Sequence, residues 1–164
     1  MKMPGFLRLV TICFSIALFF VGCREEKRAG EVPTVSLSTY SGETFTISPR
    51  DQKVSLIVFW ATWCRPCLME IPTLVRLQDK YRDRNFRVIS INIDDPEGSK
   101  TRAIIEHFGI NYTVLSGSDE ITHKFGGVYG IPTAFLIGHD GLIKDKIEGM
   151  APEEMLDEKI TAEL

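Results

Sequence analysis

The chain has 164 residues, with 19 lysines and arginines against 22 acidic residues, so its formal net charge is −3. No basic patch is present, which excludes the class of proteins that bind nucleic acids through such a surface. The length suits one domain with its own core, preceded by a targeting segment.

Residues 1–22 have the pattern of a secretory signal. Lys2 and Arg8 supply a short positive start, and the run from 9 to 22 carries no charge. This run is shorter than the about 20 apolar residues that a membrane-spanning helix needs. We therefore predict a signal peptide over 1–22 and an extracytoplasmic location for the rest of the chain.

Cys23 directly follows the apolar run. The stretch Phe20-Val21-Gly22-Cys23 resembles the lipobox of bacterial lipoproteins, in which the cysteine is lipidated and becomes the first mature residue. Phe20 stands where leucine is usual. We predict a lipid anchor at Cys23; an uncleaved anchor or an ordinary signal cleaved nearby are the alternatives.

The mature chain divides into a tether and a domain. Residues 23–30 are charged and lack apolar periodicity, which is typical of a tether. Residues 31–164 have the size of one domain, which we expect to be monomeric. Cys13 leaves with the signal and Cys23 is blocked by lipid, so only Cys64 and Cys67 remain as free thiols.

The first predicted elements of the domain are strands. Val35–Tyr40 and Thr44–Ile47 alternate apolar and polar residues around a Ser-Gly-Glu turn, which predicts a β-hairpin. Val54–Trp60 is rich in β-branched and aromatic residues and suits a strand buried on both faces. Apolar residues then recur at helical spacing from Leu68 to about Tyr81, which predicts a helix.

Cys64 and Cys67 stand where this strand passes into this helix. Cys64 falls at the helix N-terminus, where unpaired backbone N–H groups and the helix dipole favour a thiolate. The thiolate attacks disulfides, so we predict Cys64 as the nucleophile and Cys67 as the resolving thiol. Trp63, Arg65 and Pro66 complete the motif and are predicted to support the site, Arg65 by its positive charge and Trp63 on the docking surface.

Two other interpretations of the pair are weaker. Half of a zinc site needs further ligands, but no second cysteine pair follows, and His107, His123 and His139 are scattered. A structural disulfide closing so short a loop removes little chain entropy. We therefore predict redox chemistry at the pair, with no metal and no cofactor.

The remaining elements suit an α/β domain. Strand, helix and strand in succession with short connections imply a parallel crossover. A late hairpin and a C-terminal helix opened by Pro152 follow. The predicted elements are the strand Arg87–Ile93, the helix Ser99–Phe108, a short strand Tyr112–Leu115, a short helix Asp119–Phe125, and the hairpin strands Thr133–Ile137 and Leu142–Ile147.

The motif Trp63-Cys64-Arg65-Pro66-Cys67, together with Gly130-Ile131-Pro132-Thr133, resembles the thioredoxin fold. More narrowly, the chain resembles the membrane-tethered, extracytoplasmic thiol–disulfide oxidoreductases of the ResA/TlpA group. The N-terminal hairpin, the Glu70-Ile71-Pro72 stretch and the extra segment from 111 to 125 carry this narrower match. The resemblance implies a thioredoxin-like α/β fold: a central mixed sheet with flanking helices, the N-terminal hairpin, and an inserted segment between the crossover helix and the late hairpin.

The same resemblance assigns further site residues. Pro132 matches the family's cis-proline, whose loop lies against the cysteines, and the Ile131 backbone pairs with a bound substrate chain; a trans-proline opening a strand is the alternative. Val58 stands where thioredoxin has a buried aspartate. Glu70, where the ResA-like group has a glutamate, is therefore the predicted proton acceptor for Cys67. The alternative is that Glu70 is a solvated helix residue.

We therefore expect a tethered reductase of protein disulfides, held at the outer face of the cytoplasmic membrane or at the outer membrane. A membrane-bound electron donor must re-reduce it, and the resemblance implies apocytochrome c as one client. An oxidase or isomerase of the same fold and a copper-binding protein that uses the two thiols are the alternatives. The peroxiredoxin pattern Pro-x-x-x-Thr-x-x-Cys is absent.

Overall fold

The structure is a computed structural model that describes residues 30–164. The predicted signal peptide, most of the tether and Cys23 lie outside this range. The strands are β1 Val35–Ser38, β2 Thr44–Ile47, β3 Val54–Trp60, β4 Phe86–Asn92, β5 Thr113–Ser116, β6 Thr133–Ile137 and β7 Ile143–Glu148. The α-helices are α1 Arg65–Lys80, α2 Ser99–Phe108, α3 Asp119–Lys124 and α4 Glu153–Glu163, and a 3₁₀ helix spans Pro49–Asp51.

The main sheet has five strands in the order β5-β4-β3-β6-β7. Strands β3, β4 and β5 run parallel, whereas β6 pairs antiparallel with both β3 and β7. All seven residues of β3 are buried, as expected for a central strand covered on both faces. Strands β1 and β2 form a separate two-stranded hairpin. The predicted thioredoxin-like architecture, with its N-terminal hairpin and inserted segment, is confirmed.

Alternate residues of β3 serve two different cores. Leu56 and Val58 pack with the apolar faces of α1 and α4. Ile57 and Phe59 pack on the other face with the N-terminal hairpin and α3. Trp60, at the end of the strand, belongs to a third cluster that contains both cysteines of the motif. The central strand therefore leads directly from the two cores to the candidate site.

Leu77 anchors α1 in the first of these cores, and its side chain is fully buried. We expect Leu77→Ala to lower the free energy of unfolding by about 2–5 kcal/mol, because it removes buried apolar area and leaves a cavity. Met69 lies on the same helix but is 59% exposed, so Met69→Ala should change stability by less than about 0.5 kcal/mol. Urea denaturation measures both; equal losses would contradict this placement of the helix.

The first hairpin strand ends two residues earlier than predicted, at Ser38 instead of Tyr40. Thr39 makes an isolated bridge with Leu115, and its backbone closes the hairpin turn. The Tyr40 hydroxyl donates a hydrogen bond to Asn92 Oδ1 (3.1 Å), so this residue is fixed on the main sheet. Tertiary contacts therefore override the alternating pattern here. Within residues 30–164, no helix is long and apolar enough to cross a membrane.

Candidate active site

Cys64 and Cys67 form a disulfide at the start of α1, with their Cα atoms 5.3 Å apart. Cys64 is the N-cap residue of the helix, and the Cys67 N–H donates a hydrogen bond to its Sγ atom (3.3 Å). One of the otherwise unpaired N–H groups of the helix is therefore aimed at Cys64. This placement is the one predicted for the nucleophile. Both cysteines are buried, with 4% and 3% exposure, so exposure does not distinguish their roles.

The surface next to the disulfide is exposed and combines apolar residues with one positive charge. Trp63 is 72% exposed, and Arg65 and Pro66 are exposed as well. Ile131 is half-buried and packs against the cluster that holds both cysteines. Pro132 is buried, and its peptide bond with Ile131 is cis, which confirms the prediction for this bond. The structure thus brings the Ile131 loop to the cysteines, as the resemblance implied.

Glu70 is buried, with 4% exposure, one turn along α1 from Cys67. Its Oε1 atom accepts a hydrogen bond from the Ala151 backbone N–H (3.0 Å). Burial raises the pKa of Glu70, and this hydrogen bond opposes the rise only in part. The alternative of a solvated helix glutamate is therefore wrong. A carboxyl group with a raised pKa holds a proton more readily than an exposed glutamate, as an acid–base group requires.

The turn that binds Glu70 is also connected to the cis-proline loop. Gly149 N–H donates a hydrogen bond to the Pro132 carbonyl oxygen (2.8 Å), and Ala151 follows two residues later. Gly149 has a φ of +84°, a conformation that disfavours other residues. This short turn after β7 therefore connects two parts of the site, the cis-proline loop and the acid on α1.

The segment before the cysteines is fixed by Asp94, which follows β4. The Asp94 carboxylate accepts hydrogen bonds from the Thr62 backbone N–H (2.8 Å) and the Thr62 hydroxyl (2.7 Å). Asn92 Nδ2 donates a third hydrogen bond to it (2.8 Å). Since Thr62 immediately precedes Trp63 and Cys64, these bonds position the entry to the active-site helix.

We expect Asp94→Ala to cost about 1–3 kcal/mol of stability, because it leaves two donors of Thr62 without their acceptor. It should also change the alkylation rate of reduced Cys64, which reports the position of that thiol. Glu97→Ala is the matched control, since Glu97 is an exposed acid of the same loop. Denaturant titration and timed alkylation measure the two effects; a change no larger than that of the control would show that Asp94 does not position the loop.

Sequence reasoning missed Asp94, Ala151 and Tyr112 as parts of the site. Asp94 could have been found, because neighbouring parallel strands end at the same edge of a sheet. Tyr112 is half-buried and packs on the cluster with the cysteines, and burial and the charge of Glu70 both raise its pKa. The contacts of Ala151 and Tyr112 depend on tertiary packing alone, so no local pattern indicated them.

One protein family matches most of the chain. The profile of the AhpC/TSA family matches residues 29–146, which is most of the chain. The chain belongs to the AhpC/TSA family. Thioredoxin-like protein YneN of Bacillus subtilis is 30% identical over 142 residues, which cover 85% of this chain and 81% of YneN.

Two further proteins similar to this AhpC/TSA protein have names that refer to thiol–disulfide exchange. The thiol-disulfide oxidoreductase ResA of Bacillus anthracis is 27% identical over 148 residues, covering 88% of this chain and 83% of ResA. The crystal structure of a putative thiol:disulfide interchange protein DsbE from Chlorobium tepidum has a TM-score of 0.75 and 27% identity, covering 83% of this chain and 96% of that one. The chain is an enzyme of this class, a thiol–disulfide oxidoreductase.

Metal-binding groups are sparse around the pair. No group of three or more histidine, cysteine, aspartate or glutamate side chains suited to a metal ion occurs within the described range 30–164. The three histidines, His107, His123 and His139, are all exposed and lie on separate elements. The copper alternative therefore gains no support from the described residues.

Proposed function

We propose that the protein is a reductase of disulfides in other proteins, with Cys64 as the attacking thiol. The observation that carries the proposal is the disulfide at the N-terminus of α1, with a backbone N–H on Cys64 Sγ and a buried acid one turn beyond Cys67. The N–H group and the helix dipole stabilise a Cys64 thiolate. Val58 stands where thioredoxin has a buried aspartate and cannot exchange a proton, so Glu70 supplies the acid–base group.

The reaction takes two exchange steps. The Cys64 thiolate attacks one sulfur of the client disulfide, and the other client sulfur leaves as a thiolate. The Cys67 thiolate then attacks Cys64 Sγ, which releases the second client thiolate and leaves the enzyme with its Cys64–Cys67 disulfide. Two electrons have passed from the enzyme to the client. A second dithiol protein must then supply two electrons to reduce the Cys64–Cys67 disulfide again.

Glu70 is proposed as the acceptor of the proton that Cys67 loses before the second step. Residues three apart share one face of a helix, so the carboxyl and the Cys67 thiol face the same region. Its raised pKa makes this carboxyl a better proton acceptor than an ordinary glutamate.

Two features favour reduction over oxidation. A strongly stabilised thiolate makes a pair oxidising, but among residues 30–164 one N–H donor is directed at Cys64 Sγ, and the Arg65 side chain is exposed. When Glu70 is ionised, its negative charge further disfavours thiolates at the pair. Both features lower the stability of the reduced dithiol relative to the disulfide. This favours electron transfer from the enzyme to its clients.

The proposed location is the outer side of a membrane, with the lipid on Cys23 as the anchor and residues 23–30 as the tether. The support is the signal-like segment 1–22 and the cysteine that follows it. Mass spectrometry of the purified chain should therefore find Cys23 as the N-terminal residue with a lipid attached, and Cys23→Ala should carry neither the lipid nor this new N-terminus. A native chain without lipid on Cys23 would contradict the lipid anchor.

Apocytochrome c is the proposed client, by analogy with the ResA-like group, and a membrane-bound dithiol protein is the proposed electron donor. The test uses the full chain in detergent, reduced beforehand, and a peptide with an oxidised Cys-x-x-Cys-His site. We expect stoichiometric reduction of the peptide by the native chain and none by Cys64→Ser. A native chain that instead oxidises the reduced peptide would overturn the reductase proposal in favour of the oxidase alternative.

A further inference from the structure

A small cavity lies directly behind Cys67, on the inner side of the disulfide. Its volume is about 10 Å³, close to the space that one water molecule needs. Cys67, Trp60, Ser90 and Tyr112 line it together with apolar side chains of β3 and α1. The cavity therefore borders one of the two reacting cysteines.

Two of the residues that line the cavity each have a buried polar atom with no hydrogen-bond partner among the described residues. The atoms are the Ser90 hydroxyl oxygen and the Trp60 indole nitrogen, Nε1. Their residues are only 2% and 4% exposed, so bulk solvent does not reach them. Buried polar atoms are nearly always hydrogen-bonded to protein or to an ordered water.

We propose that one water molecule occupies this cavity, bound by Trp60 and Ser90, and that it donates a hydrogen bond to Cys67 Sγ. The indole N–H and the serine O–H both donate to the water oxygen, which has two lone pairs, and a hydrogen of the water is then directed at the sulfur. All three partners line the same cavity.

The register of the sheet explains why Ser90 lines this cavity. Val58 stands where thioredoxin has its buried aspartate, and Val58 pairs with Ser90 on the neighbouring strand β4. Both residues line the cavity. The polar group beneath Cys67 is thus supplied by the adjacent strand, through a water, instead of by the central strand.

The water has a specific task in the exchange reaction, and this part rests on the proposed function. While a client is bound to Cys64, it covers the outer side of the site, and Cys67 must become a thiolate without solvent from that side. A hydrogen bond from the inner side stabilises this anion. The other titratable groups around Cys67 are Cys64, then bound to the client, Glu70 on the same helix, and Tyr112.

Tyr112 also borders a second, larger space. It lines both the small cavity and an open groove of about 540 Å³ on the far side. Burial raises the pKa of Tyr112, so the phenol stays neutral and does not compete as an anion.

The test follows attack by Cys67 without any natural client. The reduced full chain in detergent, mixed with the aromatic disulfide DTNB, releases one coloured thiolate on attack by Cys64 and a second on attack by Cys67. We expect Ser90→Ala to slow the second release about 10-fold to 100-fold, the loss of one hydrogen bond to a charged group, and to leave the first release unchanged. Cys64→Ser gives the background from any other thiol.

Trp60→Phe, which removes the indole N–H and keeps an aromatic ring, should slow the same release. The double variant should be no slower than the slower single variant, because both act through one water. Ser55→Ala is the matched control, since Ser55 is a buried serine of the same sheet that does not line the cavity. Equal slowing of both releases, or fully additive effects of the two substitutions, would overturn the proposal.

A crystal structure of the oxidised full chain that resolves ordered waters supplies the second readout. We expect a water within hydrogen-bond distance of Ser90 Oγ, and a dry cavity would overturn the proposal. Neither readout depends on the direction of electron flow or on the client. If the reductase proposal failed, the DTNB rates and the crystal structure would therefore still decide whether the water is present and acts on Cys67.

Discussion

Cys67→Ser should convert the protein into a trap for its clients. Cys64 still attacks the client disulfide, but no second thiol releases the product, so the mixed disulfide accumulates. Non-reducing gels of membranes from cells that express this variant should show new covalent complexes, which disappear on treatment with a reducing agent.

Cys64→Ser is the matched control for this trap. The structure places Cys64 at the helix N-cap with an N–H on its sulfur, whereas Cys67 lies one turn inside the helix. We therefore expect few or no complexes with Cys64→Ser, and disulfide reduction at the uncatalysed rate. Equal trapping by both variants would overturn the assignment of the two roles.

Glu70→Gln should stabilise the protein at neutral pH and slow its reaction. Burial raises the pKa of Glu70, so the folded chain binds this proton more tightly than the unfolded chain does. The stability that this provides is fully present below the ordinary carboxyl pKa and is lost as the pH rises through the folded-state pKa. The stability advantage of Glu70→Gln should therefore be absent at low pH and grow over that interval.

The size of this gain follows from the rise in proton affinity, since each tenfold change corresponds to about 1.4 kcal/mol. Glutamine keeps an oxygen that accepts the hydrogen bond from Ala151. Denaturant titrations across the acidic and neutral range measure the difference. An advantage that does not vary with pH would contradict an ionisable, buried Glu70.

The same variant should slow the second exchange step by about 10²-fold or more, because general acid–base groups typically contribute at least that much. Glu154→Gln, at a solvent-facing carboxyl of α4, serves as the control. If Glu70→Gln leaves the rate and its pH profile unchanged, Glu70 does not accept the proton of Cys67.

Much of the fold could be predicted because its elements have strong local signals. Strand β3 has the predicted bounds, since six of the seven residues of Val54–Trp60 are apolar and only Ser55 is polar. Helix α2 also has them, because glycines stand on both sides of Ser99–Phe108. The cysteine pair is equally local, since its chemistry depends on the transition from one strand to the next helix.

The parts that could not be predicted depend on contacts between distant segments. The Ala151 N–H reaches Glu70 across 81 positions of the chain, so the burial of Glu70 depends on how the turn after β7 packs on α1. The cavity behind Cys67 depends on the register that sets Ser90 beside Val58. No local pattern in the sequence contains either relation.

The reduction potential of the Cys64/Cys67 pair tests the central claim of a reductase most directly. The full chain in detergent is equilibrated with dithiothreitol or glutathione buffers, and the oxidised fraction of the two cysteines is read by alkylation and mass spectrometry. We predict a potential of about −270 mV or lower, at the thioredoxin end of the range. A potential near about −120 mV, that of a strong disulfide donor, would contradict the account.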